Sequence, residues 1–389
     1  MLRRIIKTGT SRLFHYTGIN RLVSHSADCP VVFGYHRVVQ DFACAAKGVL
    51  PSLLISSRMF EQHLDWIGQR FSFISLDELG AILEQGRTFH KPVAAITFDD
   101  GYRDIYHNAF PILKRKGIPA AVFVVTGLVD TPHAPAHDNL YALLSQVQSH
   151  WPDLSHNLRR LLHDLGIPPS LILRRRGCGL TPFDATRELL IRLSRFDVSR
   201  IVDALKKEVS IPDNIIEDSR TLTWQMLAEM NSFGITIGSH TRSHALLTNE
   251  SSSKVQEELE QSRLELTTQL KSPINHFSYP DGRYNIDSIQ AVASAGYRYA
   301  YTTCRHKDTG NPLYTIPRKI LWQNSCVDSR GVFSHAIMSC HVAGIFDYFS
   351  PCGQGHKLGL QDQKMSVNNE LHKTLHRQTR LFACGRSKY

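Results

Sequence analysis

Short apolar runs that alternate with helical patterns constrain the fold of this chain more than any other feature. Three such runs lie at 31–38 (VVFGYHRV), 92–98 (PVAAITF) and 118–125 (IPAAVFVV). They are rich in β-branched residues and almost continuously apolar, which is typical of strands buried on both faces of a parallel sheet. A helical pattern over residues 104–116 separates the second run from the third. The alternation therefore predicts an α/β fold with a parallel sheet or barrel.

This rhythm is interrupted once and fades at the end. Residues 127–220 carry leucine-rich helical patterns without a clear strand, which predicts a helical insertion. Strand and helix patterns then resume and continue to about residue 350. We therefore predict the following order: a basic N-terminal segment (1–30), a barrel formed by 31–126 and 221–350 around the insertion, and a basic C-terminal tail (351–389).

The formal net charge of +10 is concentrated in the two ends of the chain. Residues 1–30 hold five basic residues and one acidic residue, and residues 351–389 hold seven basic and two acidic, which leaves +1 for the other 320. A protein that binds polyanions through its body carries a basic patch there, and this body lacks the charge for one. The distribution argues against nucleic acid as a partner. It leaves open a nucleic-acid or membrane-surface binder that acts through its tails.

The N-terminal segment predicts no secretory signal, because basic residues interrupt its apolar positions. No stretch approaches the ~20 apolar residues of a transmembrane helix. Leu2, Ile5, Ile6 and Leu13 fall near helical spacing with basic residues between them, which is typical of an amphipathic helix at a membrane surface or of a helix packed on the body. We expect a cytoplasmic or peripheral membrane protein that contacts the membrane, if at all, through this segment.

Two adjacent carboxylates, Asp99 and Asp100, follow the predicted strand 92–98 directly and precede Gly101. At the carboxyl end of a parallel strand, side chains face the crevice in which α/β proteins bind ligands. Gly101 permits the tight turn that lets both carboxylates point inward. An Asp-Gly turn without a function would give the same pattern, so this pair alone does not decide.

Two pairs of histidines have the spacing of metal ligands. His240 and His244 lie in SHTRSH after the predicted strand ITIG, and their spacing places two imidazoles on one face of a helical turn. His133 and His137 have the same spacing, but Pro135 disfavours a regular helical turn and no apolar strand precedes them. We therefore favour the first pair as a metal site, with unrelated loop histidines as the alternative.

The carboxylates and the favoured imidazoles together supply three metal ligands and one further carboxylate. An open metal site of this type lowers the pKa of bound water toward neutrality. The further carboxylate can then take the proton. The sequence therefore predicts a metal-dependent hydrolase that attacks an unactivated carbonyl such as an amide.

These residues stand in segments that resemble a known family. AITFDDGYRDIYHNAFPILKRKGIPAAVFVVTG and GITIGSHTRSHALLT are similar to the first two motifs of the polysaccharide deacetylases, the NodB-homology group or carbohydrate esterase family 4. The resemblance covers about 31–126 and 221–345. It implies a distorted, incomplete (β/α) barrel that removes N-acetyl groups from an amino-sugar polysaccharide or glycoconjugate. The implied partner is an N-acetylated glycan.

The resemblance also implies roles for individual residues. Asp100, His240 and His244 would bind one divalent metal ion, usually zinc, and Asp99 would be the general base. VVFGYHRV is similar to the version of the family in which the acid-bearing strand stands at the front of the chain. His36 would then protonate the departing amine; a structural histidine that bonds a neighbouring loop is the alternative.

FSYPDG is similar to the third motif of the family, with two departures. Tyr279, Pro280, Asp281 and Gly282 would form the turn at the substrate, and the backbone N–H of Asp281 would hold the oxyanion. The family's arginine would fall at Ser278 and its aromatic residue at Asp281. The orientation of the general base must then come from elsewhere, or be weaker.

Arg318, in TIPRKI, resembles an arginine that often follows the last strands of long family members. It would support catalysis, although a structural salt bridge explains it equally well. The altered third motif keeps a second function open, a non-catalytic member that binds glycan. The chain lacks the patterns of serine hydrolases and P-loop proteins, and its eight cysteines include no C-x-x-C pair.

Overall fold

The computed structural model describes residues 7–11, 13, 17, 30–171, 179–304 and 308–346. Backbone packing divides the chain into a compact unit, Met1–Pro351, and a second unit, Cys352–Tyr389. The second unit lies outside the described residues, as does most of the predicted N-terminal segment, so the membrane contact of that segment stays a prediction. None of the described helices has both the length and the apolar character that crossing a membrane requires.

Parallel strands form the centre of the structure. In chain order they are β1 (Val31–Tyr35), β2 (Arg37–Val39), β3 (Leu54–Ser56), β4 (Ser72–Phe73), β5 (Val93–Phe98), β6 (Ala120–Val124), β7 (Thr236–Ser239), β8 (His276–Ser278), β9 (Tyr299–Thr302) and β10 (Ile316–Ile320). Seven of them close into a ring in the order β1-β10-β9-β8-β7-β6-β5, because β1 pairs with both β10 and β5. The predicted incomplete (β/α) barrel is confirmed, with seven strands in the ring instead of eight.

Two short strands stand apart from this ring. Within the described residues, β2 and β3 pair only with each other. The apolar run 31–38, which the sequence predicts as one strand, is thus divided at His36, between β1 and β2. The chain leaves the ring at this residue, and His36 therefore lies at the ring's edge.

Helices surround the strands and fill the longer connections. In chain order they are α1 (Phe42–Ala45), α2 (Ser57–Gly68), α3 (Leu76–Glu84), α4 (Phe110–Lys116), α5 (Ala136–Val147), α6 (Leu154–Asp164), α7 (Pro182–Arg192), α8 (Arg195–Leu205), α9 (Asp213–Asp218), α10 (Trp224–Ser232), α11 (Ser252–Leu270), α12 (Ile286–Ser294) and α13 (His335–Val342). Local signals explain several boundaries: Ser75 and Glu78 form a capping box before α3, and Gly117 ends α4 in the left-handed conformation.

One end of the ring collects the polar residues that follow its strands. All six residues of β5 and all five of β6 are buried, so these strands hold the apolar centre of the ring. Because parallel strands share one direction, the residues after β1, β5 and β7 emerge at the same end. These residues are His36, Asp99 and His240. The fold therefore brings together side chains from widely separated parts of the sequence.

Six of the described helices, α5 to α10, lie between β6 and β7, and the first five of them, α5 to α9, fall within 127–220, where the sequence predicts a helical insertion. Four of these, α5 to α8, share an apolar cluster of their own. The insertion is tied to the segment after β7: Arg195 Nε donates to the carbonyl of Ser243 at 3.1 Å, and Asn249 Nδ2 donates to the carbonyls of Ile191 and Leu193 at 3.0 Å. The limits 127–220 of the insertion as a domain stay a prediction.

A buried histidine of α2 makes the stability of the fold depend on pH. His63 is fully buried, and its Nδ1 lies 3.3 Å from Tyr35 Oη. Burial lowers the pKa of His63 to about 3, whereas a histidine in an unfolded chain titrates near ~6.5. The unfolded state therefore binds the proton first, and the free energy of unfolding falls as the pH drops from ~6.5 towards about 3. At pH 5 the loss amounts to about 2 kcal/mol.

The variant His63→Gln removes this titration and keeps a polar group in the site. We expect its free energy of unfolding to fall less than that of the wild type between pH 7 and pH 5, by about 2 kcal/mol. Urea unfolding followed by tryptophan fluorescence measures the difference. His133→Gln, at an exposed histidine, is the control. An equal pH dependence in wild type and His63→Gln would contradict the assignment.

Candidate metal centre and catalytic cleft

The turn after β5 places two carboxylates side by side. Asp99 and Asp100 are both buried, and the backbone N–H of Asp99 donates to the carbonyl of Tyr35 at 2.9 Å. Asp100 has a φ of 67° and Gly101 a φ of 69°, so the chain reverses through two left-handed residues. Glycine adopts this conformation freely, whereas Asp100 is strained in it. Backbone strain of this kind is common at functional sites, where the surrounding structure holds the strained residue in place.

The loop after β7 brings two imidazoles to Asp100. His244 Nε2 lies 3.2 Å and His240 Nε2 3.6 Å from Asp100 Oδ1, and the two rings are 5.0 Å apart. The predicted helical turn is wrong here: residues 240–246 are not helical, and Thr241 and His244 have φ values of 66° and 61°. Two left-handed residues, rather than one helical face, point both imidazoles in the same direction.

Asp100, His240 and His244 form a set that could hold one metal ion, because their ligand atoms lie within 4.8 Å of one another. Asp100 Oδ1 is buried, and no described residue donates a hydrogen bond to it, although two imidazole nitrogens face it. A cation between them would satisfy this oxygen. One carboxylate and two imidazoles also match the three-ligand open sites of zinc enzymes. The residues therefore fit a divalent ion.

Asp100 and His240 have the protonation states that a cation requires, whereas at His244 the neighbouring Asp100 outweighs burial and raises the pKa. His240 Nδ1 donates to the carbonyl of Ser278 at 2.8 Å, which leaves Nε2 with its lone pair turned to Asp100. Burial lowers the pKa of His240 to about 4, so the ring is neutral near pH 7. Burial alone would raise the pKa of Asp100, but the nearby His244 and His137 hold it well below its usual value. The set thus offers an ionised carboxylate and an imidazole lone pair.

Asp99 is held by an arginine from the other side of the ring. Arg318 Nη1 and Nη2 donate to Asp99 Oδ1 and Oδ2, each at 2.7 Å, and Nη2 also donates to Ser278 Oγ at 2.7 Å. The Arg318 side chain is fully buried. Burial alone would raise the pKa of Asp99, but this guanidinium outweighs it and lowers the pKa. Arg318 of β10 thus supplies the guanidinium that the resemblance would place at residue 278, and Ser278 binds it.

A cleft of about 450 Å³ opens above these groups. His36, Asp99, Asp100, His240 and His244 all line it. The remaining walls come from the segment before β3, from the insertion and from residues at and after the ends of strands. These residues are Leu50, Ser52, Leu53, His137, Phe183, Thr186, Arg187, Leu190, Ile191, Leu246, Asp281, Gly282, Thr303, Ile320 and Trp322. The candidate metal ligands, the candidate base and the candidate acid therefore face one space.

His36 stands in this cleft with an unsatisfied nitrogen. Its Nδ1 is buried, and no described residue forms a hydrogen bond with it. His36 lines the same cleft as Asp99 and Asp100, so its ring lies where a proton transfer to a bound substrate would occur.

The turn after β8 reaches the cleft with only part of the predicted set. Asp281 and Gly282 line the cleft, whereas Tyr279 is fully buried beside Phe277 and Pro280 starts the turn behind them. Gly282 has a φ of 65°, and a Cβ there would lie 2.4 Å from the backbone nitrogen of Thr303. Only glycine fits this close approach.

A fourth histidine, His137, is brought to the site although the sequence analysis disfavoured it. Pro135 does prevent a shared turn with His133, which is exposed, but it also precedes α5 directly. His137 Nε2 lies 3.7 Å from Asp100 Oδ2, and its ring is 4.9 Å from the His244 ring. The signal was its position three residues before Leu140, on the apolar face of a helix, which predicts burial.

Glu258 of α11 fixes the loop that carries His244. This carboxylate is fully buried and accepts hydrogen bonds from the backbone N–H groups of Arg242 and Ser243, at 2.9 and 2.7 Å, and from Ser243 Oγ at 2.7 Å. We expect Glu258→Gln to weaken zinc binding about tenfold, because second-layer changes of this kind displace a metal ligand. Competition with a chromophoric chelator measures the affinity.

The matched control is Glu260→Gln, two residues away on the exposed side of α11, where the carboxylate accepts from Gln256. We expect the zinc affinity of this variant to match that of the wild type. Equal affinities in the Glu258 and Glu260 variants would show that the buried carboxylate does not position the loop.

Comparison with known proteins connects this site to one family. The family model of polysaccharide deacetylases matches residues 86–164 and 184–300, about half of the chain. The matched ranges contain Asp99, Asp100, His240 and His244, whereas His36 lies before them.

Individual proteins of known sequence or structure match this chain at low identity or over part of its length. A putative polysaccharide deacetylase of Bacillus subtilis is 21% identical over 253 residues, which cover 65% of this chain and 60% of the relative. A poly-β-1,6-N-acetyl-D-glucosamine N-deacetylase of Staphylococcus aureus is 38% identical over 115 residues, 28% of this chain and 39% of the relative. The chain thus spans about three fifths and two fifths of the lengths of these proteins. A Streptococcus pyogenes deacetylase solved in complex with acetate has a TM-score of 0.48 and 20% identity, covering 76% of this chain and 93% of that chain.

Proposed function

This chain belongs to the polysaccharide deacetylase family, and from that premise we propose that it hydrolyses the N-acetyl groups of an amino-sugar polysaccharide or glycoconjugate with one divalent metal ion. One observation carries the proposal: a carboxylate held by Arg318, Asp99, lies beside the three-ligand set of Asp100, His240 and His244 in a single cleft. A base next to a metal site is the equipment that amide hydrolysis needs.

In this proposal Asp100, His240 and His244 bind the metal ion. When bound, the ion supplies Lewis-acid activation of the acetamide carbonyl and of the attacking water. Asp99 accepts the proton that the water loses as it attacks the carbonyl carbon. The two hydrogen bonds from Arg318 keep Asp99 ionised and fix the direction of its oxygens.

The second half of the reaction uses two other residues that line the cleft, Asp281 and His36. The backbone N–H of Asp281 stabilises the negative charge that develops on the carbonyl oxygen. His36 donates a proton to the amide nitrogen, the C–N bond breaks, and acetate leaves the free amine of the sugar. The position of His36 in the same cleft as Asp99 and the three candidate metal ligands supports this role.

The non-catalytic alternative loses its main support in this arrangement. It rested on Ser278, where the resemblance would place the arginine that orients the base. Arg318 reaches Asp99 from β10 instead and bonds Ser278 on the way. We therefore favour an active deacetylase over a protein that only binds glycan.

Acetate release from N-acetylated glycans tests the proposal. Poly-β-1,6-N-acetyl-D-glucosamine is the first substrate to try, because a similar protein is named for its deacetylation. Chitin oligomers and peptidoglycan complete the panel. We expect acetate release from at least one glycan, its loss after treatment with a chelator, and its return with zinc or another divalent ion. Chelator-resistant release would contradict the metal site, and metal binding without release from any glycan would favour the non-catalytic alternative.

A further inference from the structure

His137 enters the cleft from the insertion and is not used by the proposed chemistry. Its side chain is 7% exposed and lines the cleft beside Asp100. It lies in the first turn of α5, whose residues Leu140, Leu143 and Leu144 are fully buried in the insertion's own apolar cluster. The backbone of His137 is therefore held by the insertion, whereas its ring lines the cleft.

A relay of two buried hydrogen bonds, one between His137 and Tyr102 and one between Tyr102 and Asp138, fixes which nitrogen of the His137 ring carries a proton. Tyr102 Oη donates to Asp138 Oδ2 at 2.6 Å and lies 2.7 Å from His137 Nε2. A phenol has one proton, so Tyr102 must accept from His137, and Nε2 carries a hydrogen. Nδ1 is then the nitrogen with a lone pair in the neutral ring.

The surroundings hold this relay in place. Arg37 lies over the Tyr102 ring, 4.7 Å from its centroid, and its Nε donates to Asp104 Oδ2 at 2.7 Å. Tyr102 and Asp138 are buried, and neither lines the cleft. Nε2 of His137 is thus used by Tyr102. Nδ1 is not among the buried polar atoms, and the ring lines the cleft, so the lone pair of Nδ1 is accessible there. This arrangement also explains why His137 does not join the three metal ligands through Nε2.

We propose that His137 is a substrate-binding residue whose Nδ1 accepts a hydrogen bond from a sugar hydroxyl next to the acetamido group. The proposal rests on the proposed function. The ring is 4.9 Å from the ring of His244, so only a group close to the reacting acetamide can reach it. The nearest hydroxyl on a 2-acetamido sugar of a polymer is that of the adjacent carbon, C3, because the oxygen on C1 is in the glycosidic bond. The substrate class is therefore an acetamido sugar with a free 3-hydroxyl, and sugars etherified there are disfavoured.

Two substitutions separate the nitrogens of the ring. In His137→Gln the amide replaces Nε2 and can still donate to Tyr102, but the acceptor at Nδ1 is gone. In His137→Asn the amide oxygen replaces Nδ1. We expect His137→Gln to raise KM about tenfold, the effect of one lost hydrogen bond, with kcat and zinc affinity within twofold of the wild type. His137→Asn should raise KM less than His137→Gln does.

A substrate with hydrogen in place of the 3-hydroxyl completes the test without relying on a variant. The wild type should lose about tenfold in kcat/KM on this substrate, and His137→Gln should lose less than twofold. Binding of the natural oligomer to chelator-treated protein, measured by calorimetry, should weaken by the same factor in His137→Gln. Equal penalties in both proteins, no penalty in the wild type, or a tenfold loss of zinc affinity in the variant would each overturn the proposal. If the wild type releases no acetate from any glycan, the proposed function fails instead.

Discussion

Replacement of Asp99 by asparagine is expected to lower acetate release about 10³-fold, because the amide cannot take a proton from water. Asp99 is buried, and both of its oxygens accept from Arg318, so the change removes the base without opening the cleft. The three candidate metal ligands are unchanged in this variant. Initial rates of acetate release, together with zinc affinity from chelator competition, measure the two properties separately. A rate within tenfold of the wild type would remove Asp99 from the role of general base.

Stability needs a control of its own in this experiment. Asp99→Asn leaves the Arg318 guanidinium buried without its carboxylate, which typically costs about 3–5 kcal/mol. The double variant Asp99→Asn/Arg318→Met removes both charges, and we expect most of the stability to return while acetate release stays lost. Recovery of activity together with stability would mean that the single variant was inactive because it unfolded.

Local sequence patterns are sufficient to predict where the residues that follow strands lie. Asp99, Asp100 and His240 each come directly after a buried strand, and in a parallel barrel such positions must meet at one end of the ring. The prediction needed only the position of each strand and the shared direction of parallel strands. The backbone conformation is harder to predict. The segment SHTRSH contains no signal that His244 reaches Asp100 through left-handed residues instead of a helical turn.

Contacts between distant residues set the limit of what the sequence could predict. Arg318 and Asp99 are 219 positions apart, and their pairing depends on the closure of the ring between β1, β5 and β10. Sequence reasoning could nominate Arg318 as a supporting residue, but it could not choose between a salt bridge and a catalytic role. His137 depends on how the insertion packs against the barrel, which no periodicity encodes. The two residues that complete the site are therefore those placed by tertiary packing.

Arg318 forms the salt bridge to Asp99 and, in the proposed mechanism, also orients the base, which makes its replacement informative. Arg318→Met is expected to lower the free energy of unfolding by about 3–5 kcal/mol, because it leaves Asp99 buried without a cation. It should also lower acetate release about 100-fold, because a base that is displaced by about 1 Å from its reactive position accepts the proton much more slowly. Urea unfolding and initial rates at a temperature where the variant is folded measure the two effects.

Arg318→Lys separates charge from geometry. Lysine restores a positive charge but cannot form the paired hydrogen bonds to both oxygens of Asp99 while also donating to Ser278. If orientation of the base matters, Arg318→Lys should recover part of the stability and much less of the rate. Lys319→Met is the matched control, because adjacent residues of β10 point to opposite faces and Lys319 does not line the cleft. Full recovery of the rate with lysine would mean that charge alone is required, and that the bidentate geometry is a consequence of packing rather than part of the mechanism.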